Sequence, residues 1–557
     1  MGAPAAPFPL DALAQPVRKM YRDGTHRTAA PAETRARVWQ HAKRMGITRL
    51  GNVTGLDRIG IPVAIAVRPM SRSVSVAQGK GLSLEQAMTS ALMEATEAWH
   101  GEQLEHRFRL SSYRDLAASA CVVDPSLLAG NGQTFDDAAP IYWIEGLDLL
   151  QQESCWVPAE VVHTDYAAQS YPDSGCFLRG SNGLASGNHM AEALSSAICE
   201  VVERDAAALW EARSLRARAL CHLDLASVDD PDCRTLLARY EQAGVGVRVW
   251  NVTSDVGIAA FICDIREQSD DPQLGLRRFR GAGCHPSRAI ALARALTEAA
   301  QTRLTYIVGS RDDLLLQDYA PAANVDVGEA LLDALLDGGE AGSFQAIPGF
   351  DSDDVVQDVR WEIERLRAIG MDRVVALNLA QPEMRISVVR LIVPGLEGDT
   401  RNQEYVPGPR ASRMGGESKR PVVLDRTRRP PKPLPAAELE SSGKLEGCAV
   451  IFAGPSLPPS MRPPDPRLVW RPPAKQGDVY RAALQRPAVI GLIDGYFDAV
   501  PSVWHKEILW AMEQGIRVYG AASIGALRAA ELADFGMIGV GRVYELYLDG
   551  TLFNDDE

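Results

Sequence analysis

The stretch "SALMEATEAWHGE" at residues 90–102 and its counterpart "SSAICEVVERDAAALW" at 195–210 decide how this chain is read. Both predict helices, because Ala, Leu, Met and Glu are frequent and neither Pro nor Gly interrupts them before Gly101. Glu94 and Glu97 stand three residues apart, as do Glu200 and Glu203, so each pair shares a helix face. Their flanks are apolar: Glu94 lies between "SALM" and "ATEAW", Glu200 between "SAIC" and "VVER". Such helices are expected to be buried, and burying four ionised carboxylates without partners is prohibitive. Either the glutamates form an exposed charged face or they share divalent cations, and the apolar flanks favour the second.

A carboxylate-bridged di-iron centre wants a Glu-x-x-His on each of two helices. Glu97 and His100 form one, but Glu203 is followed by Arg204, Asp205 and Ala206. Oxygen-only ligation suits Mg2+, which keeps several waters and bridges carboxylates to phosphates. Lys80, Arg204 and Arg303 lie close by in sequence as cations for those phosphates. The constellation therefore predicts a two-magnesium nucleotide site with Glu94, Glu97, Glu200 and Glu203 as ligands.

The chain has 557 residues, 46% of them hydrophobic, and a net charge of −14. At roughly 100–200 residues per domain, several domains are expected. The acidic balance argues against broad nucleic-acid binding, which needs a basic face. No apolar run reaches the ~20 residues that span a bilayer, and the N-terminal sequence lacks the regions of a signal peptide, so no membrane partner is expected. Nine scattered cysteines without a CxxC pair predict neither a zinc site nor a disulfide framework, and a cytoplasmic location is expected.

Strand patterns at 61–67, 245–252, 258–265 and 385–393 alternate with helix patterns at 83–102, 189–211, 287–307 and 354–369. Composition then turns to Pro and charge, predicting a linker at 411–445 that isolates residues 446–557. In that last part "CAVIFAG", "PAVIGLIDG" and "RVYG" read as strands, the third running into the helix-like "SIGALRAAELADFG". Cys448, opening the first of these strands, is expected in the core. The fold class is α/β (α+β): a large mixed α/β domain with glutamate-bearing helices, a Pro-rich linker, and a small Rossmann-like domain whose ligand chemistry belongs at the strand C-termini.

Four stretches, "GITRLGNVTGLDRIGIPVAIAVRPMS", "QGKGLSLEQAMTSALMEATEAWHGE", "SNGLASGNHMAEALSSAICEVVERDA" and "HPSRAIALARALTEAAQTRLTYIVGSRDD", resemble the YcaO family in order and spacing, within residues 19–410. The resemblance implies ATP and Mg2+ binding through glutamate-rich helices instead of a P-loop, and the chain has no GxxxxGK[ST]. Carried over, Ser90, Glu94 and Glu97 form its S-x3-E-x2-E motif. Asn188, Glu192, Glu200, Glu203 and Arg204 form N-x3-E-x7-E-x2-E-R. Gln301 and Arg303 come from the fourth stretch, with Arg311 beyond them. Lys19 and Arg27, in "KMYRDGTHR", look like the family's N-terminal triphosphate contacts.

Residues 446–557 resemble a TfuA-like domain, from "VIFAGPSLPP" to "LFNDDE". Such domains usually continue past "DDE", so a truncated or minimal form is expected. The YcaO resemblance implies a peptide backbone amide as substrate: a nucleophile adds to the carbonyl, and ATP phosphorylates the oxyanion so that the oxygen leaves as phosphate. A side-chain nucleophile gives an azoline, and external sulfide gives a thioamide. TfuA-like partners are associated with the thioamide branch. The expected activity is therefore ATP-dependent thioamidation of a ribosomally synthesised, post-translationally modified peptide, with the TfuA-like domain assisting sulfur delivery. The alternatives are an azoline-forming cyclodehydratase and a nucleotide-regulated scaffold that recruits another modifying enzyme. Expected partners are a precursor peptide, sulfide or a thiocarboxylated sulfur-carrier protein, a separate leader-binding protein, and a second copy in a homodimer.

Within the TfuA-like part, A-x-S-x-G at Ser523 approximates a nucleophile elbow, with His505 as base and Asp494 as orienter. The alternative makes Ser523 an N-cap among small residues that allow close helix–strand packing.

Overall fold

The computed structural model describes residues 8–166, 172–267, 278–319, 332, 335, 341–414, 445–498 and 500–556. Helix α1 (Pro31–Trp39) precedes an antiparallel sheet of β1 (Arg49–Asn52), β2 (Val63–Val67) and β3 (Val76–Lys80), in that order. Central β2 is buried along its length, as its unbroken Val–Ala–Ile run requires. Helix α2 (Leu84–Glu102) lies across β3 and β2. Ser83 caps it, accepting from the Gln86 N–H at 3.3 Å, a contact worth about 1 kcal/mol. The approach depends on Gly79, where a Cβ would meet the Ala91 nitrogen at 2.0 Å and the Ala87 oxygen at 2.2 Å.

The chain continues through β4 (Phe108–Ser111), β5 (Ile141–Asp148), β6 (Glu153–Pro158) and β7 (Leu184–Gly187) into α3 (Met190–Glu211). A second antiparallel sheet, β8 (Val245–Asn251), β9 (Ala259–Glu267) and β10 (Arg278–His285), carries α4 (Arg288–Val308). Here Gly281 and Gly283 act as Gly79 does, since Cβ atoms would meet the carbonyl oxygens of Ala295 at 2.3 Å and Ala291 at 2.1 Å. After α5 (Val355–Ala368), strands β11 (Val375–Asn378) and β12 (Ser387–Ile392) return to a six-stranded sheet ordered β4-β5-β11-β12-β7, with β6 on β5. Helix α3 packs on β7 and β12. Because α2 also touches β7 and α3 also touches β10, three helices from three sheets converge.

Most of the expected linker, residues 415–444, lies outside the described residues. Its first four residues depart from expectation and belong to α6 (Pro409–Met414), packed on α3. Arg410 pairs with Asp205 at 2.9 Å, and the Ala411 N–H donates to Glu397 at 2.7 Å. A buried charge-assisted pair outweighs the local coil preference.

The last part folds as a parallel sheet of β13 (Ala449–Phe452), β14 (Leu468–Arg471), β15 (Val489–Leu492), β16 (Arg517–Ala521) and β17 (Ile538–Val540), ordered β14-β13-β15-β16-β17. This is a doubly wound order, as expected of a Rossmann-like domain. Its helices include α7 (His505–Glu513), α8 (Ser523–Glu531) and α9 (Arg542–Leu548). The domain is not isolated. Arg49 of β1 pairs with Glu531 at 2.9 Å and with Asp555 at 2.7 Å, all with side chains at most 7% exposed. The Asn52 N–H donates to the Phe553 carbonyl at 2.7 Å, and the Asp555 N–H donates back to Asn52 at 2.9 Å. All nine cysteines are free thiols, and Cys448 is half-buried instead of lying in the core. No described helix is long and apolar enough to cross a membrane.

Candidate nucleotide and metal site

The convergence of α2 and α3 brings the two glutamate pairs into one field. Burial pushes the Glu97 carboxyl up to about 8, with the Glu94 and Glu200 charges adding to the shift and the Ser186 hydrogen bonds opposing it. Ser186, on β7, donates its backbone N–H at 2.8 Å and its hydroxyl at 2.6 Å to Glu97 Oε1. Burial likewise pushes Glu200 up to about 7, with Arg204 opposing and Glu203 assisting. Burial raises Glu94 too, while Arg311 and Lys80 pull it down. Glu203 pairs with Arg204 at 2.8 Å, and Arg204 reaches Asp399 at 3.6 Å. His100, of the Glu97-x-x-His100 spacing, is buried with Nδ1 on the Thr96 carbonyl at 2.8 Å, so it contributes to the helix and not to the carboxylates.

Cations ring this cluster. Lys80, at the end of β3, pairs with Glu298 of α4 at 2.8 Å. Burial would raise Glu298, but Lys80, Arg204 and Arg401 prevail and hold it down to about 2. Arg294, one turn before Glu298, is held protonated by Glu203 and Glu298 against burial. Arg204 Nε and Arg390 Nη1 are buried donors with no hydrogen-bond partner, and Gln301 Oε1 is a buried acceptor with none. An unfilled donor on Arg204, beside the carboxylates of Glu203 and Asp399, suits an anion that arrives with its own counter-cation.

The N-terminal contacts close the other side. Glu192 is buried and accepts from the backbone N–H groups of Thr28 and Asn188, the latter at 2.7 Å. Asn188 Oδ1 accepts from Thr34 at 2.8 Å and from Arg37. Arg27 and Glu192 line a small polar cavity with Ser195, Arg294, His26 and His285. Lys19 is already paired, to Asp358 at 2.6 Å. Ser90 sits one turn before Glu94 on the same helix face.

Two groups of expected residues stand elsewhere. Arg303 donates Nε to Asp57 at 2.9 Å and Nη2 to Glu267 at 2.6 Å. It lies five residues beyond Glu298, about 140° around the helix, so it leaves the shared face. The Ser523–His505–Asp494 triad is not assembled. His505 Nε2 bonds Glu531 at 2.8 Å, and its Nδ1 is buried without a partner. Asp494 Oδ2 accepts from Gly454 at 2.7 Å, and Oδ1 from the Ser456 hydroxyl at 2.6 Å. Ser523 is exposed and has φ +33°, after Ala522 at +47°, so the turn has an elbow's sharpness. It begins α8 and is not its N-cap.

Residues overlooked in the sequence are Ser186, Arg294, Glu298, Asp399 and Arg401. Arg294, Glu298 and Gln301 recur at four- and three-residue steps, a one-face signature that was readable. Asp399 and Arg401 lie on a loop and carry no such signal.

The family described as YcaO cyclodehydratase, ATP- and Mg2+-binding, matches residues 78–397. The chain belongs to the YcaO family. The TfuA-like protein family matches residues 494–557. A Rhizobium leguminosarum bv. trifolii protein named for its place in the tfuA 3' region is 36% identical over 390 residues, 69% of this chain and 92% of the relative. A Methanothermobacter thermautotrophicus protein is 33% identical over 383 residues, 66% of this chain and 94% of the relative. Among solved structures, YcaO from Methanopyrus kandleri bound with AMPPCP and Mg2+ gives a TM-score of 0.53 at 21% identity, covering 73% of this chain and 99% of that one. A heterocyclase in complex with substrate and cofactor gives 0.53 at 22% identity, covering 69% of this chain and 54% of that one. These two share the fold. YcaO enzymes use ATP and Mg2+, and the donor set here fits both. Among the described residues no three His, Cys, Asp or Glu side chains close into a metal cage by themselves. An ion such as Mg2+, which takes part of its shell from water and phosphate, needs no such cage.

Proposed function

We propose that this YcaO-family chain is an ATP-dependent peptide thioamide synthetase, in which residues 446–556 assist delivery of sulfur. The observation that carries this reading is the TfuA-like domain, fused to the YcaO domain and packed against the segment that follows α4. Glu94, Glu97, Glu200 and Glu203 would hold the magnesium ions. Mg2+ would neutralise phosphate charge and polarise the transferred phosphorus.

The chain's own residues then do the remaining work. Arg204, Arg294 and Lys80 bind and orient the polyphosphate, and Glu192 with Asn188 fixes the turn that carries Arg27. Sulfide adds to the amide carbonyl carbon, and the C=O π electrons move to oxygen. That oxygen takes the γ-phosphoryl group and ADP leaves. The sulfur loses its proton, its electron pair forms C=S, and phosphate departs with the former amide oxygen. Cationic side chains stabilise charge on the phosphate oxygens throughout. Packing the sulfur-handling domain beside the site raises the local concentration of donor.

The second reading, azoline formation by cyclodehydration, is favoured by the family's own description. Mass spectrometry of the precursor peptide after incubation with ATP, Mg2+ and sulfide separates the two. Exchange of oxygen for sulfur adds mass, whereas cyclodehydration removes one water. A water loss that persists without sulfide would overturn thioamidation.

A further inference from the structure

The segment Ser310–Asp313 touches both domains with alternate residues. Ahead of it, α4 ends at Gly309, in the left-handed region with φ +58°, where a Cβ would meet the Ser502 nitrogen at 3.0 Å. The Ser502 N–H donates to the Gly309 carbonyl at 3.0 Å, and the Asp498 N–H to Ile307 at 2.8 Å. Ser310 is buried and accepts from Arg528 Nη2 at 2.9 Å. Arg528 is itself buried and also donates to Glu531 at 2.7 Å and to the Val503 carbonyl at 2.9 Å. Asp312 accepts from the Ser75 N–H and hydroxyl, both at 2.9 Å, and pairs with Lys506 at 2.5 Å. Lys506 donates as well to the Ser73 carbonyl at 3.0 Å.

Arg311 stands between these two anchored residues. Its guanidinium is steered by Asp313, with contacts of 3.0 and 2.6 Å, and it lies within electrostatic reach of Glu94 on α2. An arginine on a free loop would lose most of its rotamer entropy on gripping a ligand, and fixing the backbone on both sides removes part of that penalty in advance.

We propose that the C-terminal domain is a positioning element of the nucleotide site: Lys506 and Arg528, acting through Asp312 and Ser310, fix the backbone on both sides of Arg311, so that its guanidinium is held ready to receive the nucleotide polyphosphate. This rests on the reading of the glutamate cluster as the nucleotide site. Lys506 and Arg528 touch no nucleotide themselves. Their effect passes through the backbone of four residues. A domain associated with sulfur supply thereby also governs how tightly the YcaO domain holds ATP.

The test is calorimetric titration of the full chain with Mg·ATP. Lys506→Ala should weaken binding about three- to tenfold, the scale of one partly exposed ion pair. Lys506→Arg should restore it. Asp312→Asn, which keeps size while weakening the pair, should reproduce the loss. In an Arg311→Ala background, Lys506→Ala should add nothing, because the residue it positions is gone. Unchanged affinity in Lys506→Ala, or losses that add independently of Arg311, would overturn the proposal. Glu94→Gln separates the two layers. If it too leaves affinity unchanged, the site itself is misassigned. If it abolishes binding while Lys506→Ala is silent, only the positioning role fails.

Discussion

Ser186 gives both its backbone N–H and its hydroxyl to one oxygen of Glu97, at 2.8 and 2.6 Å. Two donors on Oε1 stabilise the ionised carboxylate, the form that would hold Mg2+ in the proposed site. Replacing Ser186 by Ala removes one donor of about 1 kcal/mol. Glu97, already pushed up to about 8, would rise further. The acid limb of the pH profile for ATP hydrolysis should move upward by roughly half a pH unit to one unit. An unmoved limb would mean that Glu97 ionisation does not limit turnover.

Glu94→Gln and Glu200→Gln should each abolish ATP turnover while leaving a folded protein. Each removes a metal-binding charge at constant size, and each relieves repulsion within the cluster. Thermal melting should stay level or rise slightly. Near-normal hydrolysis in either variant would contradict the assignment.

The two shifted carboxyls make the metal-free protein sensitive to pH in a definite direction. Glu97 and Glu200 titrate near 8 and 7 in the fold and near the ordinary 4.5 when unfolded. Between about 4.5 and 8 the folded state binds more protons, so stability falls as pH rises through this window. Melting temperature without Mg2+ should therefore decline from pH 5 to 8. Mg2+ with nucleotide should flatten the decline, and Glu97→Gln should lessen it. A rise over this range would contradict the burial of both groups.

Arg303→Lys should lower the melting temperature and leave Mg·ATP affinity unchanged. Lysine cannot reach Asp57 and Glu267 together as the guanidinium does at 2.9 and 2.6 Å. Weakened nucleotide binding at constant stability would return Arg303 to the phosphate role that its motif suggests.

Ser523→Ala should leave thioamide formation from a protein thiocarboxylate intact, because His505 is committed to Glu531 and Asp494 to Ser456. Loss of carrier use, with free sulfide still accepted, would revive a nucleophilic role for Ser523.

The large helices were legible in sequence to within a residue or so: 83–102, 189–211 and 287–307 were expected, and Leu84–Glu102, Met190–Glu211 and Arg288–Val308 form. Their apolar periodicity and caps are local properties. The glutamate pairs were legible for the same reason, since three-residue spacing fixes a face. Arg303 stands apart from the cluster because its motif does not say which way position 303 points, and that direction is set by Asp57 and Glu267, far away in sequence. Docking of the C-terminal domain was hidden because the Pro-rich composition between domains describes only the tether. The contacts that join the domains, Arg49 to Glu531 and Asp555, are scattered singly along the chain.

Arg49 meets Glu531 across 482 residues of sequence and Asp555 across 506. A ribosome adding about 5–20 residues per second needs roughly half a minute or longer to produce those partners after β1 has emerged. Throughout that interval β1 carries a cation destined for the interior with no counter-charge yet synthesised. Until then the Arg49 flank of the first sheet stays hydrated, so the buried ion pairs that join the two parts of the chain are among the last contacts that synthesis makes available.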